Sequence, residues 1–145
     1  MADCIFCRIL AGIEPASFVY RDEHCSAFMD ILPINPGHVL VIPNRHAASL
    51  AELDPEDGAH LFRVAQRIAA AVRVTHVQCE GVNLFLADGA AAGQEVFHVH
   101  LHVLPRFASD GFGFRRSSYG APARSELDTL ADLIEQHLPA QLPAE

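Results

Sequence analysis

The sequence predicts one α+β domain over residues 1–145, built on an antiparallel sheet. Strand-like segments come in consecutive groups, and helix-like segments lie before, between and after these groups instead of following every strand. Half of the residues are apolar, which is enough for a folded core at this length.

The first predicted element is a short helix that Asp3 caps, that runs to about Leu10 and that Gly12 ends. In such a helix, Cys4 and Cys7 lie one turn apart on the same side. This C-x-x-C pair is therefore placed to act as a unit.

Two strands are predicted next, at 17–21 and 25–29, with 22–24 joining them as a hairpin. The segment 30–37 is rich in Pro and Gly, which predicts an ordered loop. The apolar run 38–43 then predicts a strand that is buried on both faces.

A long helix is predicted after Asp54, with Pro55 at the first helical position, acidic residues in the first turn and an end near Val74. Apolar residues recur along it at helical spacing: Leu61, Val64, Ile68, Ala71 and Val72. This periodicity predicts that one face of the helix packs on the sheet.

The remaining elements are a strand at 81–86, a loop at 88–94 and a strand with three histidines that Pro105 stops. The segment 109–116 is expected to be irregular. Ser125 and Asp128 form an S-x-x-D start signal for a last helix that runs to about His137.

The amino-acid composition argues against some classes of binding partner. Ten arginines, no lysine and eighteen acidic residues give a net charge of -8, which disfavours nucleic-acid binding. No segment predicts a membrane span or a signal peptide, so we expect a cytoplasmic protein that binds no membrane. The four cysteines are expected to be thiols, with Cys25 and Cys79 in the core.

Three histidines at alternate positions, His98, His100 and His102, carry the main functional signal. In an extended strand they would share one face, while the apolar residues between them share the other. The alternative is a strand that happens to be rich in histidine, in which these residues have no functional role.

Three functions fit this pattern. A single metal ion is one, but alternate positions span about 13 Å, too far for all three to ligate one ion. Anion binding by protonated imidazoles is another, although arginine would serve better. Nucleophilic attack on phosphorus or an acyl carbon is the third, and it alone uses several histidines in different roles.

The Gly93-Gln94 turn before the histidines favours phosphorus as the target. Its backbone N–H groups and side-chain amide can face phosphate oxygens. An ordinary tight turn is the alternative.

The segment 98–104 resembles the His-φ-His-φ-His-φ-φ signature of the histidine triad (HIT) nucleotide hydrolases and transferases. The similarity extends to residues 4–7, 28–31, 36–43, 81–83 and 92–106. It is greatest to the bacterial Hint-like branch, small homodimers that bind purine mononucleotides and hydrolyse adenylyl derivatives. The resemblance implies a five-stranded antiparallel sheet with a long helix and a C-terminal helix, which dimerises into a continuous larger sheet.

The resemblance also implies catalytic roles for four histidines. His100 would attack the α-phosphorus and form a nucleotidyl-histidine intermediate. His102 would contact the phosphate or leaving group and assist its protonation, and His38 would belong to the imidazole network that fixes tautomers. His98 would support the nucleophile from two residues away.

Nucleotide contacts are implied as well. Asp30 would accept both ribose hydroxyls, since a carboxylate has two oxygens for a vicinal diol. The other expected nucleotide contacts are Phe6, Ile9, Phe28, Ile31, Asn83, Gly93, Gln94 and Glu95. Core packing is an equal alternative for Ile9 and Phe28, and bracing of the adjacent loop is an equal alternative for Asn83.

A structural zinc ion is the expected cofactor. As in the cysteine-bearing HIT branch, Cys4, Cys7, His46 and His98 would form a tetrahedral Cys2His2 site. The ion would pin the N-terminal helix to the sheet and hold His98 in place. Ordinary buried thiols, or a redox pair, are the alternatives.

Two residues depart from the pattern of the phosphoramidase and diadenosine-hydrolase branches. Glu95 stands where they carry a Ser or Thr that helps hold the phosphate, and a carboxylate there would repel phosphate unless it turned away. Only the Glu95 backbone is therefore expected to act as a donor. Ala87 stands where they place a side-chain amide, so the identity of the leaving group is not specified by this resemblance.

The expected activity is hydrolysis of purine nucleoside 5′-phosphoramidates, or of acyl- or aminoacyl-adenylates, to the nucleoside monophosphate. Dinucleoside polyphosphate hydrolysis is an alternative in which Arg106 would face the polyphosphate. A nucleotide-binding regulator with little turnover and a metal-storage module are alternatives from other classes. Nucleotidyl transfer to a sugar phosphate is disfavoured because the chain is short.

Overall fold

The computed structural model describes residues 4–139. The chain divides after Asp110 into two compact units. A single domain over the whole chain stays a prediction. None of the helices in the described range is both long and apolar enough to cross a membrane.

The first unit holds two α-helices and five strands among its described residues. Their bounds are α1 Ile5–Leu10, β1 Phe18–Arg21, β2 Cys25–Met29, β3 Val39–Pro43, α2 Pro55–Arg73, β4 Gly81–Leu86 and β5 Leu101–Arg106, with a short 3-10 helix at Ala90–Ala92. The positions of the predicted helices and strands are thus confirmed to within a few residues, apart from the start and end of the last strand.

The five strands form one antiparallel sheet in the order β1-β2-β3-β5-β4. This confirms the predicted α+β fold. Because β3 and β5 are neighbours, Leu40 lies opposite His102 in the register. The topology therefore brings the loop before β3 next to the histidine segment.

The sheet is covered on both faces. On one face α2 packs through Leu61, Val64 and Ile68 against β3 and β5. On the other, α1 supplies Phe6 and Ile9 to a smaller apolar cluster with Phe28, Leu40 and Ile42. All five residues of β3 are buried, as its apolar run predicts.

The start of α1 falls at the edge of the described range. Cys4 is the residue that precedes the helix, and the proposed cap Asp3 lies outside the described residues. Gly12 adopts a φ of 74°, which suits a residue without a Cβ and agrees with its predicted role in ending the helix.

The histidine strand is shorter at its start than predicted. β5 begins at Leu101, so His98 and His100 precede it. The reason is that their backbone turns to other partners: the Val99 N–H donates to the Ala47 carbonyl at 2.7 Å. The alternation of faces nevertheless holds, since Val99 and Val103 pack in the α2 core while His100 faces the other side.

The prediction that Pro105 stops this strand is wrong, because β5 continues to Arg106. The Pro105 carbonyl accepts a hydrogen bond from the Asn35 side chain at 2.9 Å. Its nitrogen points to the same side, where the pairing with β3 has already ended at Val103. The missing N–H therefore costs no ladder hydrogen bond.

The second unit contains the helix α3, Arg124–Gln136, in its described part. The predicted S-x-x-D start signal is wrong. Ala123 precedes the helix without a side-chain cap, and Ser125 lies within the first turn, where its carbonyl accepts from the Thr129 hydroxyl at 2.9 Å. The segment 109–116 is irregular, as predicted.

Candidate functional site

A cavity of about 660 Å³ opens on the face of the sheet away from α2. One wall comes from α1, β2 and the loop after β2, and the other from the end of β4 and the turn that follows it. His38, His100 and His102 lie along it with Asp30. The volume is in the range of small-molecule sites.

The tautomer of His100 follows from one hydrogen bond. Its Nδ1 lies 2.7 Å from the carbonyl oxygen of His98, and a carbonyl can only accept. Nδ1 therefore carries a hydrogen, and in the neutral form of the ring the lone pair is on Nε2. An imidazole in this state can act as a nucleophile.

The tautomers of His38 and His102 follow in the same way. The Ile34 N–H donates to Nδ1 of His38 at 3.1 Å, so the hydrogen of His38 lies on Nε2. That Nε2 donates to Nδ1 of His102 at 2.8 Å. His102 consequently carries its hydrogen on Nε2, where it is a donor.

Burial keeps these two rings uncharged near neutral pH. It lowers the pKa of His102 to about 4, with a further contribution from the neighbouring imidazoles. Burial also lowers the pKa of His38, which the nearby Asp30 carboxylate opposes in part. Neutral rings with fixed hydrogens can each hold a different role in one reaction.

Two phenyl rings hold the imidazoles in a row. The ring centroids of Phe6 and His100 are 5.3 Å apart, those of His100 and His102 4.9 Å, and those of His102 and Phe85 4.1 Å in a stacked arrangement. Phe85 was not among the predicted site residues. Its place opposite His102 depends on the pairing of β4 with β5, which no local pattern specifies.

Asp30 lies at the end of β2 and lines the cavity. One carboxylate oxygen accepts from the Leu32 N–H at 2.9 Å, and the other is 3.6 Å from Nδ1 of His38. The carboxylate is thus oriented by the backbone and still borders the cavity.

The predicted apolar contacts lie where the cavity wall and the core meet. Phe6, Ile9 and Phe28 are buried in the smaller apolar cluster and also line the cavity, so both interpretations of Ile9 and Phe28 apply. Ile31 lines the opening and is 87% exposed. A ligand in the cavity would cover this side chain.

The expectation that the Gln94 amide faces a phosphate is wrong. The amide is buried, its oxygen accepts from the Gly89 N–H at 2.7 Å, and its nitrogen donates to the carbonyls of Ala48 and Val96. A buried amide that lost these partners would be left unsatisfied. Gln94 therefore braces the turn.

The backbone of the turn is also largely occupied. The N–H groups of Gly93 and Gln94 donate to carbonyls within the turn, and Gly93, with a φ of 89°, lines the cavity. Within residues 4–139, the N–H groups of Glu95 and Val96 have no such partner. These two donors are the ones that remain for an anion.

Asn83 and Arg106 do not line the cavity. The Asn83 side-chain oxygen Oδ1 accepts from Arg106 at 2.6 Å, and Arg106 makes a two-point ion pair with Asp110 at 2.6 and 2.8 Å. Asn83 thus has the bracing position, and Arg106 does not face the cavity as the polyphosphate alternative requires.

A second cluster lies beside α1, where Cys4, Cys7, His46 and His98 place one ligand atom each within 4.8 Å of one another. Nδ1 of His98 is 3.5 Å from the Cys4 sulfur, 3.7 Å from the Cys7 sulfur and 3.3 Å from Nδ1 of His46. Tetrahedral zinc bonds predict separations of about 3.6 Å for sulfur and nitrogen and about 3.3 Å for two nitrogens. The geometry fits such an ion.

The chemistry of the cluster fits a cation as well. Nε2 of His98 donates to the Pro43 carbonyl at 2.9 Å, so its Nδ1 lone pair points to the sulfurs. Burial, and then the neighbouring Cys4, raise the pKa of the Cys7 thiol. A bound cation would reverse this and favour the thiolates.

Fold and site together define a small α+β protein with neutral imidazoles in a ligand-sized cavity and a Cys2His2 cluster beside it. A sequence model of the HIT domain matches residues 12–109. The chain therefore belongs to the HIT family.

Two curated relatives match most of this chain. An uncharacterised HIT-like protein from Borreliella burgdorferi is 45% identical over 119 residues, or 81% of this chain and 86% of that protein. An adenylylsulfatase from Arabidopsis thaliana is 33% identical over 145 residues, or 99% of this chain and 73% of that protein.

Solved structures share the fold. A HIT-family protein from Bacillus subtilis superposes with a TM-score of 0.87 at 36% identity, covering 96% of this chain and 99% of that chain. A zinc-bound histidine triad protein from Mycobacterium smegmatis has a TM-score of 0.74 at 40% identity, covering 94% and 99%.

Proposed function

We propose that the protein is a Hint-like nucleotide hydrolase that cleaves purine nucleoside 5′-phosphoramidates, or acyl- or aminoacyl-adenylates, and releases the nucleoside monophosphate. The hydrogen bond from Nδ1 of His100 to the His98 carbonyl carries this proposal, because it leaves Nε2 as a nucleophile in the cavity.

The nucleoside would lie against the wall made by α1 and β2. Phe6 and Phe28 offer apolar rings for the base, and the Asp30 carboxylate is within the same wall for the ribose hydroxyls. The phosphate would then meet Nε2 of His100 and the N–H groups of Glu95 and Val96.

The reaction would proceed in two steps. In the first, Nε2 of His100 forms a bond to the α-phosphorus and the bond to the leaving atom breaks. An amine leaving group takes the hydrogen from Nε2 of His102, whereas a carboxylate leaves as the anion and only accepts a hydrogen bond from it. After an amine has left, the negative charge on the His102–His38 pair is opposed by the positive charge on the nucleotidyl ring of His100, whose centroid is 4.9 Å from that of His102.

In the second step water attacks the phosphorus and the bond to Nε2 of His100 breaks. One hydrogen of the water returns to His102 after an amine has left, or passes to the solvent after a carboxylate has left, and the hydroxyl group completes the nucleoside monophosphate. The tautomers of all three histidines are then as they began.

Replacement of the nucleophile tests the proposal. His100→Asn should hydrolyse adenosine 5′-phosphoramidates at least a thousandfold more slowly than wild type. Mass spectrometry of the wild type, quenched during turnover, should find a nucleotidyl group on His100. If His100→Asn retained wild-type turnover, the proposed function would be wrong.

The two alternative functions are tested by other outcomes. A regulator would bind AMP in calorimetry and release no product from phosphoramidates. A dinucleoside polyphosphate hydrolase would prefer those compounds, which the ion pair of Arg106 with Asp110 disfavours.

We further propose that Cys4, Cys7, His46 and His98 hold one zinc ion. When bound, zinc contributes free energy of folding and joins α1 to the residue two before the nucleophile. The fit of the four ligand atoms and the zinc-bound relative support this. One zinc per chain in metal analysis is expected, whereas several per chain would favour a metal-storage module.

We also propose a cytoplasmic homodimer. The edge strand β4 lies at one end of the sheet order, and pairing with its copy would extend the sheet and cover apolar side chains. Light scattering should give twice the mass of the chain, and a monomer at micromolar concentration would contradict the proposal.

A further inference from the structure

The charges around the cavity are unbalanced. Three carboxylates line it, those of Glu14, Asp30 and Glu95, and no arginine from residues 4–139 does. The chain has no lysine at all. A leaving group in this cavity therefore meets carboxylates without a side-chain guanidinium or ammonium to offset them.

The three carboxylates are not equivalent. Arg8 pairs with Glu14 at 2.8 Å, and Asp30 accepts from the Leu32 N–H while it borders His38. Glu95 is exposed, and its side chain makes no ion pair or hydrogen bond within the described part of the chain. A cationic ligand can therefore pair with the Glu95 carboxylate without breaking a contact that this carboxylate already makes.

Glu95 also lies on the wall that the nucleoside does not use. Phe85 and Ala87 at the end of β4, and Gly93 and Glu95 in the following turn, form this second wall. With the nucleoside against α1 and β2, the second wall faces the leaving group. Ala87 offers only a methyl group there and Phe85 an apolar ring, so Glu95 supplies the charge by which this wall can select.

We propose that Glu95 selects leaving groups that carry a positive charge away from the scissile bond, such as diamines and aminoacyl groups, and disfavours anionic ones. This inference rests on the proposed function, because it concerns the leaving group of the same reaction. Polyphosphate and sulfate leaving groups would be poor, since they would meet a carboxylate and no cation.

The size of the effect follows from the exposure of Glu95. An exposed ion pair changes affinity by up to about fivefold, and salt weakens it. The preference is therefore expected to be moderate at low ionic strength and to fall as sodium chloride is added.

Three adenosine 5′-phosphoramidates with leaving groups of equal length test the proposal: those of putrescine, butylamine and γ-aminobutyrate. The first carries a distal ammonium, the second no charge and the third a distal carboxylate. For the wild type, kcat/KM should fall by about fivefold from each to the next. For Glu95→Gln, the three values should agree within about twofold.

Glu23→Gln is the matched control. Glu23 is an exposed carboxylate in the turn between β1 and β2 and does not line the cavity, so its loss changes the net charge equally. This variant should keep the wild-type order of the three substrates.

Two outcomes would overturn the inference, and they differ from failure of the proposed function. If the wild type showed no charge preference, or if Glu95→Gln kept the full preference, Glu95 would not select the leaving group although the hydrolase remains. If the wild type hydrolysed none of the three, or His100→Asn hydrolysed them as fast, the proposed function would fail and the inference with it.

Discussion

Nε2 of His38 lies 2.8 Å from Nδ1 of His102, and the Ile34 N–H on the far side of the His38 ring determines which of them donates. One backbone N–H thus fixes the hydrogens of two imidazoles in sequence. The ring that borders the nucleophile is left with a donor on Nε2, as the proposed protonation of the leaving group requires.

Replacement of His38 should leave the tautomer of His102 no longer fixed. In His38→Ala, the Nδ1 of His102 loses its donor, so both tautomers of His102 become populated and kcat/KM should fall by about tenfold to a hundredfold. Steady-state kinetics with an adenosine phosphoramidate measures this. His38→Gln, whose amide can still donate, should recover part of the loss, and His24→Ala, at an exposed ring outside the cavity, should match wild type. Equal activity of His38→Ala and wild type would contradict the role.

Acid should destabilise the protein through His102. The pKa of His102 is about 4 in the folded protein against 6.5 in an ordinary environment. The unfolded chain therefore takes up a proton first, and this contribution to stability is present above pH 6.5 and is lost as the pH falls towards 4. We expect a loss of about 3 kcal/mol from this residue.

Urea unfolding of wild type and His102→Asn from pH 7 to 4 measures this contribution. The difference between the two isolates His102 from the other groups that titrate in this range. Parallel curves for the two proteins would show that the ring is not kept neutral by the fold.

Loss of the Gln94 amide should loosen the turn. Gln94→Ala leaves the Gly89 N–H and the Ala48 carbonyl without their partner, while the Val96 carbonyl still accepts from the His98 N–H, so the free energy of unfolding should fall by about 1–3 kcal/mol. Because the turn forms part of the cavity wall, KM should rise as well. Gln66→Ala, at an exposed position on α2, should change neither denaturant stability nor KM.

Removal of zinc should lower stability. A chelator should decrease the melting temperature of wild type by several degrees, because the ion joins α1 to His46 and His98. Cys4→Ser and Cys7→Ser should bind less zinc and gain nothing further from its addition. Cys79→Ser, outside the cluster, should retain one zinc per chain. A chelator without effect on a zinc-loaded sample would argue against a structural ion.

The helices and strands could be predicted because their signals are local. Periodic apolar residues identified α2, and the apolar run 38–43 identified β3 with its burial on both faces. The end of the last strand could not be predicted in this way. Whether Pro105 ends it depends on which neighbour its nitrogen would face, and β3 stops just before that point.

Spacing along the chain was sufficient to single out the alternate histidines and the C-x-x-C pair, whereas Asp30, His38 and His46 were expected only from the resemblance to the HIT family. The roles of individual atoms depend on contacts between distant segments. Gln94 turns to the backbone, Asn83 to Arg106, and Phe85 to His102 because the strand order β3-β5-β4 brings those segments together. The hydrogen on each imidazole is likewise set by carbonyl and N–H groups that only the folded chain supplies. Residue types and their spacing are properties of the chain, whereas hydrogen-bond partners are properties of the packed sheet.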